Sequence, residues 1–310
     1  MTRTRLPRAA PGAARALLMG LAALAAPGCQ PVDEPAESQA AQPAPSEEIQ
    51  PKTFEKFLAE AHVLDDGRLI IDQDILVKDA AAARAFYEGE MAWSRQSQAA
   101  SSQDGLGSTA QPLTVNQAGG VDTIWTHPQR MELTYCVDTA SFGTNANLLV
   151  DTLEQATYSW SRRIGVQYRR VVTATCNNAT SGVLFNVRQT SLGGANASAF
   201  FPNNGRSDRE LLIDPISFTT TAGGRDLLGI LSHELGHTIG MRHEHIWLAN
   251  PCTTETAADA RIVNAYDVNS VMHYPQCRPS GTGGYRQSDL DYFGAQTLYG
   301  TAPALIGVIQ

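Results

Sequence analysis

Residues 233–243, with the sequence HELGHTIGMRH, constrain the fold of this chain more than any other stretch. If the stretch is a helix, the spacing of four places His233 and His237 on one face, about one turn apart. Two imidazoles so placed can bind one metal ion, because zinc–nitrogen bonds of about 2.0–2.1 Å reach both rings. Glu234 is not needed as a ligand, so it can act as a base toward metal-bound water.

A glycine and a third histidine follow at fixed spacing. Gly240 can adopt the left-handed conformation that ends a helix. The chain can then turn and bring His243 back as a third ligand. Three histidines leave the fourth zinc position open, which is typical of catalytic rather than structural zinc sites.

A second motif, SVMHYP, occupies residues 270–275. The pattern H-E-x-x-H-x-x-G-x-x-H followed by a methionine-containing turn resembles the metzincin metallopeptidases. The SVMHY form resembles the astacin-like branch, and the whole is similar to the bacterial HEIGH-type metallopeptidases, with Leu235 where isoleucine is usual. The resemblance covers roughly residues 120–300. It departs at Met241-Arg242, where astacins usually carry an aromatic residue after the glycine.

The resemblance implies a function for each motif residue. It implies zinc (Zn2+) held by His233, His237 and His243, and an endopeptidase that hydrolyses peptide bonds of protein substrates through a zinc-activated water. Glu234 is then the general base and later the proton donor. Tyr274 lies near the zinc and supplies a hydroxyl to the oxyanion, while Met272 packs beneath the site without binding the metal.

A second interpretation belongs to another class of protein. The same histidines could serve a non-catalytic zinc-containing binding or adhesion lipoprotein. Such a protein needs no base, so the presence of both Glu234 and Tyr274 argues against it. A closed structural zinc site is disfavoured too, because a fourth protein ligand of the usual kind is absent from the motifs.

The pattern of apolar residues predicts an α+β fold. The expected domain is metzincin-like, with a twisted mixed sheet, a long zinc helix from Asp226, a Met-turn and a C-terminal helix. Residues 197–201 are expected to form an edge strand that pairs with an extended peptide. The predicted strands are 131–137, 166–172, 182–187 and 210–213, and the predicted helices are 145–164 and 288–299.

The N-terminus predicts export. Residues 1–28 combine arginines with a short apolar run, which is typical of a signal peptide. Cys29 follows Ala26-Pro27-Gly28 and resembles a bacterial lipoprotein processing site. A lipid there would make the protein an envelope lipoprotein; without it the chain would be secreted. The net charge of −8 argues against nucleic acid as a partner.

Four segments follow the signal peptide. Residues 29–52 are rich in Pro, Ala, Glu, Gln and Ser and predict a flexible tether. Residues 53–95 form a small module, and residues 96–120 predict a linker to a catalytic domain at 121–310.

The module is either a pro-segment or an added structural subdomain, and the sequence does not decide between them. If it is a pro-segment, a carboxylate could occupy the zinc, as an aspartate does in astacin-like zymogens. Asp74 and Glu90 both resemble that aspartate weakly, and Asp74 is preferred because an extended segment enters a cleft more easily than a helix.

Cysteines beyond Cys29 are even in number, which indicates disulfides in an exported domain. Four cysteines allow three pairings. Cys252 and Cys277 bracket the segment that leads to the methionine turn, so we favour that pair. Cys136 with Cys176 is then the second pair.

Overall fold

The computed structural model describes residues 52–101, 113–220, 225–247, 252–278 and 284–303. The predicted signal peptide (1–28) lies outside these ranges, as does the predicted tether (29–52) except for Lys52. Within the described ranges, no helix combines the length and apolar character that crossing a membrane requires.

The described chain contains both α-helices and β-strands. The helices are α1 (Phe54–Ala59), α2 (Ala80–Ser101), α3 (His127–Arg130), α4 (Thr139–Phe142), α5 (Ala146–Ser161), α6 (Leu227–Thr238) and α7 (Asp289–Tyr299). The strands are β1 (His62–Val63), β2 (Leu69–Ile71), β3 (Ile75–Val77), β4 (Thr114–Ala118), β5 (Val121–Asp122), β6 (Leu133–Val137), β7 (Tyr168–Arg170), β8 (Phe185–Gln189), β9 (Ala197–Ser198), β10 (Glu210–Ile213), β11 (Met241–Arg242) and β12 (Ala260–Ile262).

The largest sheet in the described ranges has five strands in the order β7-β6-β8-β10-β9. The first four are mutually parallel, and β9 pairs antiparallel with β10, with Ser198 opposite Leu212. Every residue of β6 and β10 is buried, as expected for parallel strands covered on both faces. The sheet is therefore mixed, and the predicted α+β class is confirmed.

Two helices pack against each other beside this sheet. The buried residues Leu149, Leu153, Ala156 and Trp160 recur at helical spacing along α5. The indole nitrogen of Trp160 donates to the carbonyl of Ser232 in α6 at 3.0 Å. This packing fixes α6, the helix that carries the HExxH motif.

The predicted linker at 96–120 needs correction. Helix α2 continues to Ser101, and β4 already belongs to a second sheet, where it pairs with β5, β11 and β12. Leu113, just before β4, is fully buried in the main core. The sequence did not indicate this strand because two of its three pairing partners, β11 and β12, lie more than a hundred residues away, so local composition carries little of the signal.

The N-terminal module consists of α1, the three-stranded sheet β1-β2-β3 and the following helix α2. Phe54, Phe57 and Ala83 from its helices pack with Leu69 and Ile71 from β2. The opposite face of the module is not free. There Leu64 and Ile70 of the module form a cluster with Leu192 and Leu212 next to and within the main sheet.

The C-terminal helix α7 starts one residue later than predicted, because Ser288 is its N-cap. The Ser288 hydroxyl accepts from Asp291 N at 3.0 Å, and the Asp291 carboxylate accepts from Ser288 N at 2.8 Å, so the two form a capping box. Two disulfides, Cys136–Cys176 and Cys252–Cys277, are present, which confirms both predicted pairings.

Candidate active site

Helix α6 begins and ends as the motif predicts. Asp226 is the N-cap, and its carboxylate accepts from Gly229 N at 2.9 Å. At the other end Gly240 has φ +89°, the left-handed conformation that glycine adopts most easily. A Cβ atom at Gly240 would also lie 2.5 Å from the carbonyl oxygen of Thr123. Only glycine fits this turn, which brings His243 back toward the helix.

The three motif histidines converge through one atom each. His233 Nε2 lies 3.2 Å from His237 Nε2 and 3.2 Å from His243 Nε2. A tetrahedral zinc site with bonds of about 2.0–2.1 Å separates its ligand atoms by about 3.3–3.4 Å. The spacing of these nitrogens therefore suits a single zinc ion.

The other nitrogen of each ring determines which tautomer is present. His233 Nδ1 donates to the carbonyl of Val271 at 2.7 Å, and His237 Nδ1 donates to the carbonyl of Met241 at 2.8 Å. His243 Nδ1 contacts a carboxylate oxygen of Glu255. A carbonyl only accepts, so Nδ1 of the first two rings carries the proton and Nε2 keeps its lone pair for a metal.

The environment of the histidines also fits a cation. All three are at most 4% exposed, and lone pairs that face one another away from water repel unless a cation lies between them. Burial lowers the pKa of His233 to about 4, which favours the neutral ring that binds metal. Burial also acts to lower the pKa of His243, but the charges of Asp74 and Glu255 outweigh it and raise that pKa to about 10.

Asp74 of the N-terminal module completes the cluster. Its Oδ2 lies 3.1 Å from His243 Nε2, 3.3 Å from His233 Nε2 and 3.8 Å from His237 Nε2. The four side chains form one buried group that could hold a metal ion. Burial alone would raise the pKa of Asp74, but the charge of His243 and the contacts with the histidines hold it well below 3.8. Glu90, the other carboxylate considered, is not part of this group.

Glu234 is buried and follows His233 directly in helix α6. Its Oε2 has no hydrogen-bond partner among the described residues, and the residue lines a cleft next to the N-terminal module. Burial and the negative charge of Asp74 raise the pKa of Glu234 well above 4.5. A buried carboxylate without a partner, facing a cleft, is suited to exchange a proton with a ligand in that cleft.

Tyr274 packs over the same cluster. Its ring lies 4.4 Å from the ring of His243 and 5.7 Å from that of His233, measured between centroids. Its hydroxyl lies 3.4 Å from the carbonyl of Asp72, which belongs to the module. Burial, followed by the charge of Asp74, raises the pKa of Tyr274 well above 10, so the hydroxyl keeps its proton and can donate it.

The methionine turn lies directly under α6. Met272 is fully buried, and its sulphur packs against Gly236 in the middle of the helix. Asp291 of α7 holds the turn, because its carboxylate accepts from Val271 N at 2.8 Å and from the Ser270 hydroxyl at 2.5 Å. Met272 is thus placed beneath the histidines, as the resemblance implies, and its sulphur is not among the atoms that converge on the metal position.

A cleft of about 430 Å³ runs between the module and later residues of the described chain. Glu234, Tyr274, Tyr285 and Arg225 line it, together with residues 192–197 before and within the edge strand β9. The module already pairs with this edge: Ile75 forms a parallel bridge with Ala199, and the Ser198 hydroxyl donates to the carbonyl of Asp74.

Glu255 is a buried residue at the site that was not predicted. Glu255 lies between Cys252 and the methionine turn, in a stretch without helical or strand periodicity. The main-chain carbonyls of Met241 and Val271 were not anticipated as partners of the histidines either. The only signal available for Glu255 was a carboxylate in a disulfide-bounded segment, which does not show that it reaches the site.

Comparison with known protein families also indicates a metallopeptidase. A family model described as "Dual-action HEIGH metallo-peptidase" matches residues 108–290. No curated protein matches the chain significantly. A solved structure titled "Structure of myroilysin" shares 16% identity over 60% of this chain and 98% of its own, with a TM-score of 0.43. A second, "Crystal structure of myroilysin", shares 15% over 60% and 88%, with a TM-score of 0.39. The family assignment therefore rests on the family model.

Proposed function

The chain belongs to the HEIGH metallopeptidase family and is a zinc metallopeptidase, and we propose that it is an endopeptidase with Glu234 as general base. One observation supports this most: three histidine Nε2 atoms converge on one point of a cleft that Glu234 also lines. Membership of a peptidase family disfavours the non-catalytic binding lipoprotein, because such a protein has no use for the buried base.

The chemistry divides between the metal and the protein. His233, His237 and His243 would hold a zinc ion, which when bound would supply the Lewis acidity that polarises a carbonyl and acidifies water. Glu234 takes up the proton released in the attack and returns it to the leaving amine. Burial, followed by the charge of Asp74, raises the pKa of Glu234, so departure of Asp74 removes one of these two causes and favours the ionised base.

Tyr274 and the edge strand complete the proposed site. The Tyr274 hydroxyl donates to the developing oxyanion once the module no longer covers it. Strand β9 lies at the edge of the main sheet, where an extended protein or peptide substrate can add as a further strand. The cleft alongside β9 leads from this edge to Glu234.

We further propose that the N-terminal module keeps the enzyme latent. Asp74 joins the three histidines as the fourth member of a group that could hold a metal ion, whereas a catalytic zinc site keeps its fourth position open. The same segment pairs with Ala199, and its backbone accepts from Ser198, so it also covers the edge that a substrate needs. A substrate can enter only when this segment leaves.

Four versions of the full chain test both proposals: wild type, Asp74→Ala, Asp74→Ala with Glu234→Gln, and Asp74→Ala with His237→Ala. Zinc content and hydrolysis of a fluorogenic protein, with and without a chelator, are measured. Asp74→Ala should be more active than wild type, and chelator should abolish its activity. The Glu234→Gln double variant should keep zinc and lose activity.

Each proposal fails on a separate result. Equal activity of wild type and Asp74→Ala rejects latency through Asp74. Activity that survives Glu234→Gln rejects the general base. Stoichiometric zinc in the variant with His237→Ala rejects the ligand set.

A further inference from the structure

The three zinc-binding histidines are not held in the same way. His233 and His237 lie on helix α6 and donate to main-chain carbonyls. His243 lies beyond the end of the helix, and its Nδ1 contacts the side chain of Glu255. The orientation of the third ring therefore depends on a side chain twelve residues further along.

Glu255 is itself fixed by a buried arginine. Arg242 Nε donates to Glu255 Oε1 at 2.7 Å, and its Nη1 donates to the carbonyl of Ala258. Arg242 is 4% exposed and precedes His243 in the chain. One guanidinium thus ties the segment that carries Glu255 to the residue that Glu255 supports.

The N-terminal module binds the same segment from the other side. The Asp72 carboxylate accepts from Thr254 N at 2.9 Å and from Glu255 N. Glu90 Oε2 accepts from Thr256 N at 2.6 Å and from the Thr256 hydroxyl. Three consecutive backbone N–H groups, at residues 254–256, are therefore bonded to carboxylates of the module.

Glu90 also reaches the arginine. Its Oε1 lies 3.4 Å from Arg242 Nη2, so Arg242 stands between a carboxylate of the module and the carboxylate that supports His243. Buried charges of this kind are stable only when each is paired, and removing one partner leaves the others uncompensated. A change at Glu90 is thereby transmitted to Glu255 through one shared cation.

We propose that Glu255 is a positioning residue for the third zinc ligand, and that the module, through Asp72 and Glu90, holds Glu255 in place. The inference rests on the proposed function only in taking His243 as a ligand. It assigns the module a second effect besides covering the cleft: the docked module raises the affinity of the site for zinc.

The effect on zinc binding depends on the group that contacts the outer nitrogen of the His243 ring, which here is the Glu255 carboxylate. A carboxylate that accepts from the outer nitrogen fixes the tautomer and makes the metal-binding nitrogen more basic. Glutamine at position 255 retains the size but loses the charge, so it weakens the hold on His243 and leaves Arg242 with one anionic partner fewer. At position 90 glutamine keeps one acceptor oxygen and cannot serve both Thr256 and Arg242.

The test measures zinc binding rather than turnover. Full-length wild type, Glu255→Gln, Glu90→Gln and Glu210→Gln are titrated with zinc against a chromogenic chelator, and the visible absorption of the cobalt-loaded proteins is recorded. Glu210 is the matched control, because it is also a buried carboxylate paired with arginine and it also bonds to the module, through Arg68, while its other partners Arg188 and Asn186 lie on β8. None of these bonds involves residues 254–256, so the control separates a general loss of a module contact from the loss of Glu90. Asp74 stays in every version, so the fourth position is unchanged.

Glu255→Gln should weaken zinc binding about 10- to 100-fold and alter the cobalt spectrum, since loss of such a partner typically has that effect. Glu90→Gln should weaken binding in the same direction by a smaller factor, and Glu210→Gln should bind like wild type. If circular dichroism shows that Glu255→Gln does not fold, Glu255→Asp replaces it, with its shorter carboxylate expected to give a partial loss.

If a folded Glu255 variant has the zinc affinity and the cobalt spectrum of wild type, the positioning role of Glu255 is overturned. If zinc binding is weakened in that variant but unchanged in Glu90→Gln, the proposal that the module holds Glu255 in place is overturned. A His243→Ala variant separates these failures from that of the proposed function. If it keeps stoichiometric zinc, the ligand set itself is wrong; if it loses zinc while Glu255→Gln is normal, only the present inference is wrong.

Discussion

The sulphur atom of Met272 lies so close to Gly236 that a Cβ atom at that position would overlap it. The contact joins the methionine turn to the middle of α6, between the two histidines of the HExxH motif. The distance between turn and helix is thus set by the absence of a side chain at residue 236.

Gly236→Ala should therefore destabilise the protein by about 1–3 kcal/mol, the usual cost of inserting a methyl group into a packed core. Gly89→Ala is the control. Gly89 is also helical, and a Cβ atom there would meet nothing within 4 Å, so the change should stabilise by about 0.5–1 kcal/mol. Urea unfolding measures both, and equal effects of the two changes would contradict the tight contact.

Tyr274→Phe, made in the Asp74→Ala background, should keep zinc and lower turnover about 10²- to 10³-fold, because one oxyanion donor is lost. Tyr266→Phe in the same background is the control. Its hydroxyl contacts His273 Nε2 at 2.8 Å, so the change removes a hydroxyl of the same type that has a different partner. Equal turnover of the Tyr274→Phe and Tyr266→Phe variants would show that Tyr274 does not act in the transition state.

Glu90 should make stability depend on pH. Burial raises its pKa from 4.5 to about 7, outweighing Arg242 and Thr256. Between these values the folded protein holds a proton that the unfolded chain releases, so this contribution to the free energy of unfolding is complete below pH 4.5. It is lost as pH rises through about 7, and it amounts to about 3 kcal/mol.

Urea unfolding of wild type and Glu90→Gln at pH 5, 6, 7 and 8 isolates this contribution, because other groups titrate alike in both. Stability of wild type relative to the variant should fall from pH 5 to pH 8. A difference that stays constant across this range would show that Glu90 does not change its protonation there.

We propose that the protein is an envelope lipoprotein with its lipid on Cys29, a residue that lies outside the described ranges. Wild type expressed in a bacterium should fractionate with membranes and carry acyl mass on its N-terminal peptide, since each buried CH₂ contributes about 0.8 kcal/mol of membrane binding. Cys29→Ser should release the protein or block its processing. A soluble wild type without acyl mass would reject the anchor.

The parts of the molecule that the sequence predicted well are those where local spacing carries the signal. The span of α6 follows from the capping residue Asp226, the apolar face and Gly240, all within fifteen residues. The predicted strand at 210–213 likewise has the bounds of the observed strand β10, Glu210–Ile213. Such features depend on neighbours in the chain, which the sequence displays directly.

Contacts between residues that lie far apart in the sequence could not be predicted in this way. Strand β4 is defined by its pairing with β11 and β12, and Glu255 gains its importance only because the fold carries it to His243. The approach of Asp74 to the histidines spans about 160 residues of sequence. The sequence offered two candidate carboxylates for this position, and only tertiary packing distinguishes them.

The turn that presents Asp74 also affects how the protein withstands its own activity. Asp72 and Gln73 have φ values of 48° and 87°, in the left-handed region that residues other than glycine rarely adopt. A peptide is hydrolysed when it lies extended along the edge of the sheet, whereas this turn bends the backbone next to the metal-binding carboxylate. We therefore expect the peptide bonds beside Asp74 to be poor targets for self-hydrolysis, so that a cut that releases the module would fall elsewhere in the chain.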